Sequence, residues 1–172
     1  FGKALGNGYA ITSILGKKNI MKSAENTFIS STFWTEGIGF VAGKATLKEF
    51  KRLRPWKEIN RIGRYVKRNW LKIAKKNKIE IEVFGLDAMP GFKFKSKQNN
   101  LYKSFITQEF LKKNFLASNT IYICKDHDIK IINKYLLILD KVFAKIRNHQ
   151  IRKNKKNLLK GPQAMMGMSR LN

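Results

Sequence analysis

A long pattern of apolar residues after Pro55 constrains the fold of this chain more than any other feature. Within residues 55–77 the apolar side chains recur at steps of three and four, at Trp56, Ile59, Ile62, Val66, Trp70 and Ile73. Proline suits the first position of a helix, where its missing N–H has no partner to lose. The spacing therefore predicts an amphipathic helix of about twenty residues, which needs a larger apolar body to pack against.

Lysine and arginine occupy the other side of this predicted helix, and basic residues dominate the chain. There are 36 Lys and Arg against 11 Asp and Glu, a formal charge of +25. One interpretation is a nucleic-acid-binding module that uses the 55–77 helix and a basic tract at 148–160.

The other interpretation is compositional. The chain has 28 Lys but only 8 Arg, beside 15 Asn and 19 Ile, and Lys, Asn and Ile share A/T-rich codons. Arginine is the residue that pairs bidentately with phosphate, so its scarcity favours a solvated basic surface. On this interpretation nucleic acid is not expected as a partner.

The content of cysteine and histidine argues against two kinds of site. Cys124 is the single cysteine, so an internal disulfide and a cysteine-based zinc site are excluded. His127 and His149 alone cannot form a metal centre, and no metal is expected. No apolar run approaches the length of a membrane span, and no signal peptide is recognisable. The expectation is a soluble, cytoplasmic protein without a membrane partner.

Residues 1–53 are glycine-rich and only moderately charged. Their pattern predicts a short strand at 9–15, a short helix at 19–25 and a longer helix at 34–50. The longer helix contains three glycines, Gly37, Gly39 and Gly43. Each weakens a helix by up to about 1 kcal/mol relative to alanine, so this helix needs tertiary support.

The rest of the chain alternates predicted strands and helices. Strands are expected at 79–84, 92–95 and 120–124, the first two antiparallel to each other. A helix is expected at 104–114, with Phe105, Phe110 and Leu111 inward. A long helix follows, with Asp126 or Asp128 as its N-cap. Residues 148–160 are expected to be a tail or linker, and 161–168 a loop that docks back.

Lys3 is the candidate reactive residue. A lysine that forms a Schiff base must be neutral to attack, so it needs a cleft and a closely approaching backbone. Glycines such as Gly2, Gly6 and Gly8 permit tight turns around Lys3. On these grounds alone an ordinary surface lysine is the stronger interpretation.

Three segments favour a reactive role for Lys3 over that of an ordinary surface lysine. They are Gly-Lys-Ala-Leu-Gly-Asn-Gly-Tyr-Ala-Ile-Thr-Ser-Ile-Leu-Gly at 2–16, Thr-Phe-Ile-Ser-Ser-Thr-Phe-Trp-Thr-Glu at 27–36, and the terminal Leu-Leu-Lys-Gly-Pro and Ser-Arg-Leu at 158–162 and 169–171. Together they resemble the class III aminotransferases, which carry pyridoxal 5′-phosphate. The second segment looks like the branch of glutamate-1-semialdehyde aminomutase and its relatives.

The resemblance implies an enzyme that transfers or shifts an amino group on a small-molecule amine or amino acid, as a transaminase or as an isomerase (aminomutase). Lys3 matches the lysine that forms the Schiff base with the cofactor. Thr32 matches the threonine that holds the cofactor phosphate of the neighbouring subunit. A homodimer with a shared active site is therefore expected.

The resemblance also implies an α/β fold. Residues 1–53 would be the end of the large pyridoxal-phosphate-binding domain, and 54–172 a small carboxy-terminal α+β domain. That small domain would have three or four mostly antiparallel strands under two or three helices. The chain would be the carboxy-terminal portion of a family member, and would lack an amino-terminal half.

Departures from the family pattern concern Gly37, where an arginine is usual, Lys44, where an apolar residue is usual, and Met165-Met166, where a polar pair is usual. The implied aspartate at the pyridine nitrogen, the stacking aromatic and the phosphate cup would all precede Lys3. The chain alone is therefore expected to be inactive. A decayed or truncated sequence is a third interpretation.

Overall fold

A computed structural model describes residues 1–30, 32–152 and 157–164. The chain divides into two compact units, Phe1–Pro55 and Trp56–Asn172. Within the described residues, no helix has both the length and the apolar character needed to cross a membrane.

The first unit contains a short helix α1 (Lys18–Met21), a 3-10 helix (Lys22–Asn26) and helix α2 (Gly37–Leu53). A helical segment near 19–25 and a glycine-bearing helix were both predicted. Helix α2 starts three residues later than expected, because the chain turns first and the N–H of Glu36 donates to the carbonyl of Phe33 (3.2 Å). Helix α2 ends at Arg54, whose φ of 45° is left-handed.

The predicted strand at 9–15 is wrong. A strand needs a hydrogen-bonded ladder with a neighbour. Within the part of the chain that the structure describes, Ser13 is the one residue of this segment that makes such contacts. Its N–H donates to the carbonyl of Phe1 (2.8 Å), and the amino group of Phe1 donates to the carbonyl of Ser13 (2.6 Å). Apolar side chains here, such as Leu15 (74% exposed), lie open to solvent.

Burial in the described part of the first unit is confined to glycine residues. Among its described residues, those that are buried are Gly6, Gly39 and Gly43. Most of its large apolar side chains are exposed, Phe28 at 96% for example, while Leu5 and Ile11 are half-buried. The described part of this unit therefore contains no apolar core of its own.

The second unit is built from three helices and a hairpin. They are α3 (Trp56–Lys76), β1 (Ile81–Leu86), β2 (Met89–Phe94), α4 (Asn99–Leu111) and α5 (Ile129–Ile151). The predicted long helix is confirmed as α3. The predicted antiparallel pair is also confirmed, with Ile81 opposite Phe94 and Leu86 opposite Met89.

The predicted third strand at 120–124 is wrong. The segment does follow β2: Ile121 donates to the carbonyl of Pro90 (3.0 Å) and Ile123 to that of Ala88 (2.9 Å). Because Pro90 has no N–H to return, a regular ladder cannot form, and one isolated bridge joins Gly91 to Thr120. The sheet therefore has two strands in the described residues, where three or four were expected.

The expected fold is confirmed in part. The described residues form a mixture of helices with one small antiparallel sheet, as expected for the second unit. The parallel sheet of an α/β domain is not found among them.

The core lies between α3, α4, α5 and β2. Most of its aromatic pairs meet edge to face, such as Trp70 and Phe92, whose ring centroids are 4.8 Å apart. The indole N–H of Trp70 donates to the hydroxyl of Tyr135 (3.0 Å), which satisfies both polar groups inside the core. Leu111 was expected inward but is 53% exposed, since it lies one position past the buried Phe110 at the end of α4.

Local contacts fix the hairpin and α5. A β-carbon on Gly63 would lie 1.7 Å from the carbonyl oxygen of Asp87, so α3 and the hairpin turn meet backbone to backbone. Arg64 and Lys67 both pair with the Asp87 carboxylate at 3.1 Å. Asp128 caps α5 by accepting from the N–H of Ile131 (2.7 Å), which confirms one of the two predicted caps.

The terminal segment docks on α4, as predicted for residues 161–164. The amide of Asn100 donates to the carbonyl of Ala164 (2.7 Å), and the N–H of Ala164 donates to the hydroxyl of Ser104 (2.9 Å). Residues 165–168 of that predicted loop, and Met165-Met166 with them, lie outside the described residues.

Candidate functional site

Lys3 sits in a hydrogen-bonded turn of the first unit. The N–H of Leu5 donates to the carbonyl of Gly2 (2.6 Å), and the N–H of Asn7 donates to the carbonyl of Lys3 (3.1 Å). Asn7 and Gly8 have φ values of 47° and 108°, so the chain reverses within these residues. The turn holds the Lys3 backbone while the side chain stays exposed.

Two glycines of α2 bring this helix against the Lys3 segment. A β-carbon on Gly39 would lie 2.6 Å from the carbonyl oxygen of Ala10, and one on Gly43 would reach the side chains of Leu5 and Ile11. Gly39 and Gly43 are four residues apart and so share one helix face. The small-residue face of α2 therefore sets the position of residues 5–11.

This packing leaves a cleft of about 870 Å³ with Lys3 in its wall. The described residues that line it come from the turn, the extended segment after it and the start of α2. They are Lys3, Gly8, Tyr9, Ala10, Ile11, Thr12, Ile14, Ile29, Ser30, Phe33, Trp34, Glu36, Gly39 and Phe40. A cleft of this size is in the range of small-molecule sites, and most of its side chains are apolar or aromatic.

The polar groups of the cleft are few and chemically distinct. Lys3 offers a primary amine, Thr12 and Ser30 offer hydroxyls, and Glu36 offers a carboxylate. Lys3 and Glu36 make no ion pair with each other in the described structure, so each remains able to meet a ligand. The cleft thus combines one nucleophilic nitrogen, one acid and two hydrogen-bonding hydroxyls.

Thr32 lies elsewhere. It is exposed in the turn that precedes α2 and is not among the residues that line the Lys3 cleft. The structure therefore does not bring Thr32 and Lys3 together within one chain. The expected role of Thr32 involves the cofactor of a neighbouring subunit, so that role stays a prediction.

Ser30, Glu36, Thr12 and Tyr9 are cleft residues that the sequence did not identify. Ser30 and Glu36 belong to the same 27–36 segment that pointed to Thr32, and Tyr9 and Thr12 belong to the Lys3 segment. The two segments were recognised, but their packing against each other depends on the contact of Gly39 with Ala10.

Among the described residues, no group of three or more His, Cys, Asp or Glu side chains comes together in a way that could hold a metal ion. His127 instead makes a local contact, its Nδ1 accepting from the N–H of Cys124 (3.2 Å).

Comparison with known proteins places these segments in a family. The family model described as aminotransferase class-III matches residues 1–142. The chain is 32% identical over 111 residues to the 3-aminobutyryl-CoA aminotransferase of Cloacimonas acidaminovorans, covering 64% of this chain and 27% of that protein.

Two aminomutases are also similar. Glutamate-1-semialdehyde 2,1-aminomutase of Methanocaldococcus jannaschii is 26% identical over 159 residues, which is 83% of this chain and 37% of that protein. The same enzyme from Halorubrum lacusprofundi is 30% identical over 92 residues, 52% of this chain and 21% of that protein. The chain therefore spans well under half the length of the curated relatives it matches.

A solved structure shares the fold. It is the pyridoxal-phosphate internal aldimine form of the FumI protein of Sphingopyxis sp. MTA144, with a TM-score of 0.73 and 18% identity. The match covers 92% of this chain and 39% of that one.

Proposed function

The chain belongs to the class III aminotransferase family, and from that premise we propose that it is the lysine-bearing part of an aminotransferase or aminomutase that uses pyridoxal 5′-phosphate. The observation that carries the proposal is the position of Lys3, an exposed primary amine on a fixed turn in the wall of an 870 Å³ cleft. The proposed substrate is a small amine or amino acid.

The chemistry of the cleft fits this cofactor. The Lys3 amine suits an aldehyde, the aromatic and apolar wall suits a planar ring, and the hydroxyls of Thr12 and Ser30 suit a phosphate. When bound, pyridoxal phosphate supplies an electron sink that stabilises negative charge at the substrate carbon.

Lys3 has two tasks in this proposal. Its Nζ would hold the cofactor covalently before a substrate amine binds. When free, the same Nζ would accept the proton from the substrate carbon and return it at the other end of the proton shift, as base and then acid. A turn closed by backbone hydrogen bonds suits a group that must act twice from one position.

Thr32 would act across a homodimer. Its hydroxyl, exposed on the turn before α2, would donate to the cofactor phosphate of a second copy. We also assign residues 1–53 to the end of a cofactor-binding domain and 54–172 to a small carboxy-terminal domain. The boundary of the two compact units at Pro55 lies close to this division.

Reductive trapping tests the proposal. The full-length protein that contains these residues is incubated with pyridoxal phosphate, reduced with borohydride and mapped by peptide mass spectrometry. We expect the pyridoxyl group on Lys3, and its loss in Lys3→Ala. Lys17→Ala is the matched control, since Lys17 is exposed in the same unit but does not line the cleft. A label on another lysine in the wild-type protein would refute the assignment.

A further inference from the structure

Six cations of α3 form a straight line on its solvent side. This basic stripe consists of Lys57, Arg61, Arg64, Arg68, Lys72 and Lys75, all exposed. Steps of three and four residues keep the six within about 80° of the helix circumference, over a length of about 27 Å. The buried residues Ile62, Val66 and Trp70 occupy the opposite side of the helix.

Four of the six cations in the basic stripe remain available to a negatively charged ligand. Arg61 pairs with Glu58 and Arg64 with Asp87. In the part of the chain that the structure describes, Lys57, Arg68, Lys72 and Lys75 make no ion pair. The other two lysines near this surface differ, since Lys67 pairs with Asp87 and Lys76 with Asp140.

The spacing places like charges where they repel. Lys57 and Arg61, Arg64 and Arg68, and Arg68 and Lys72 are each four residues apart. Like charges at this spacing destabilise a helix. An exposed helix face selected for stability alone would alternate acids with bases, and this one does not.

Composition does not account for the arginines. Three of the 8 Arg of the chain lie in the six positions of the basic stripe, against 28 Lys available overall. A/T-rich codons favour lysine, whereas the guanidinium is the group that forks onto phosphate oxygens. The local enrichment is therefore the opposite of the trend in the whole chain.

From the line of cations, their exposure and their arginine content, we propose that the basic stripe of α3 binds the phosphate backbone of double-helical nucleic acid. The stripe carries no aromatic ring on which an unpaired base could stack, so a single strand gains little from it. A duplex presents the higher density of phosphate charge. Binding is then independent of base sequence, and it uses residues of the second unit that do not line the Lys3 cleft.

Fluorescence anisotropy with a labelled DNA duplex of about 20 base pairs tests this proposal across a range of salt concentrations. The test variant of the full chain replaces the four stripe cations that make no ion pair in the described structure: Lys57→Gln, Arg68→Gln, Lys72→Gln and Lys75→Gln. The control variant removes the same charge at four exposed lysines without an ion pair in the described structure: Lys113→Gln, Lys125→Gln, Lys130→Gln and Lys134→Gln.

We expect saturable binding by the wild-type chain, weakened by about tenfold or more in the test variant at low salt. The slope of log affinity against log salt should become shallower by about 3 to 4 in that variant, roughly 0.9 for each phosphate that the variant no longer neutralises. The control variant should keep most of its affinity and its slope.

Equal reductions of affinity in the two variants would overturn the proposal, because binding would then follow net charge alone. Tighter binding to the single strand of the same length would also overturn it. So would stripe-dependent binding to phosphatidylserine vesicles with no binding to the duplex, which would assign the stripe to a membrane surface. Circular dichroism of both variants checks that α3 remains folded.

Discussion

A β-carbon on Gly39 would lie 2.6 Å from the carbonyl oxygen of Ala10, closer than real β-carbons approach other atoms. Gly39→Ala should therefore push α2 away from residues 5–11, at a cost of about 1–3 kcal/mol for the local overpacking. In the full-length protein, we expect faster proteolysis of the segment around Lys3.

Gly37→Ala is the matched control for this change. A β-carbon on Gly37 meets nothing within 4 Å, and alanine favours a helix by up to about 1 kcal/mol over glycine. Proteolysis of the Gly37→Ala protein should be unchanged or slower. Equal proteolysis of the two variants would mean that the Gly39 contact does not fix the cleft.

Thr32→Ala should separate phosphate anchoring from covalent anchoring. Losing one hydrogen bond to a charged phosphate should weaken cofactor retention by about 1.5–3 kcal/mol, while borohydride should still label Lys3. Equilibrium dialysis of pyridoxal phosphate measures retention. Thr35→Ala, in the same exposed turn, is the control and should retain the cofactor like the wild type. Loss of the Lys3 label in Thr32→Ala would contradict the proposed division of roles.

Acidification should destabilise the second unit through Glu109. Burial raises the pKa of this carboxyl, but ion pairs with Lys112 and Lys145 outweigh it and hold the pKa below its ordinary value. A hydrogen bond from Lys67 lowers the pKa of Asp87. Burial raises the pKa of Asp140, but hydrogen bonds from Lys76 and Asn77 outweigh it and lower that pKa.

Since the unfolded chain binds these protons first, stability is fully present above pH of about 4.5 and falls as the pH drops through the folded pKa values. Urea unfolding followed at several pH values measures this. Glu109→Gln should cost about 1–2 kcal/mol at neutral pH and flatten the acid dependence. Glu82→Gln is the control, because its pair with Lys93 is exposed and should change stability by under about 0.5 kcal/mol. If the Glu109→Gln protein lost stability with falling pH as steeply as the wild type, this assignment would be wrong.

Lys67 differs from the other lysines of α3 in its burial and its hydrogen bonding. Its substitution should therefore change the stability of the second unit. Its side chain is only 23% exposed, and Nζ donates to the carbonyl of Gly85 (2.6 Å) as well as pairing with Asp87. Lys67→Gln should therefore destabilise the second unit by about 1 kcal/mol. Lys72→Gln, at an exposed position without an ion pair in the described structure, should stay within about 0.5 kcal/mol. Thermal unfolding measures the midpoint of each variant. Equal midpoints would mean that the contacts of Lys67 with Gly85 and Asp87 contribute nothing to stability.

The elements that sequence predicted correctly are those with a strong local period. Six apolar residues at helical steps predicted helix α3. Alternation of apolar and charged residues predicted β1 and β2. The strand predictions at 9–15 and 120–124 failed because a strand depends on its neighbour. In the first case a ladder partner is missing in the described residues, and in the second Pro90 cannot donate.

The sequence identified the two segments that form the candidate site, but not all of the residues that line its cleft. Lys3 came from a motif, and the structure places it in a cleft wall. Ser30 and Glu36 could not be assigned to that cleft from sequence, because their approach depends on Gly39 meeting a backbone oxygen of Ala10, almost thirty positions earlier. Apolar patterns predict burial, but they carry no information on such backbone contacts.

The contrast between the exposed and the buried tryptophans has an optical consequence. Trp34 and Trp56 are 58% and 42% exposed, whereas Trp70 is fully buried and hydrogen-bonded to Tyr135. The emission of the first two indoles already reflects water, so the red shift of tryptophan fluorescence on unfolding comes mainly from Trp70. The chain thus contains an intrinsic spectroscopic reporter of the core between α3 and α5. The absorption of the proposed cofactor would report on the Lys3 cleft separately.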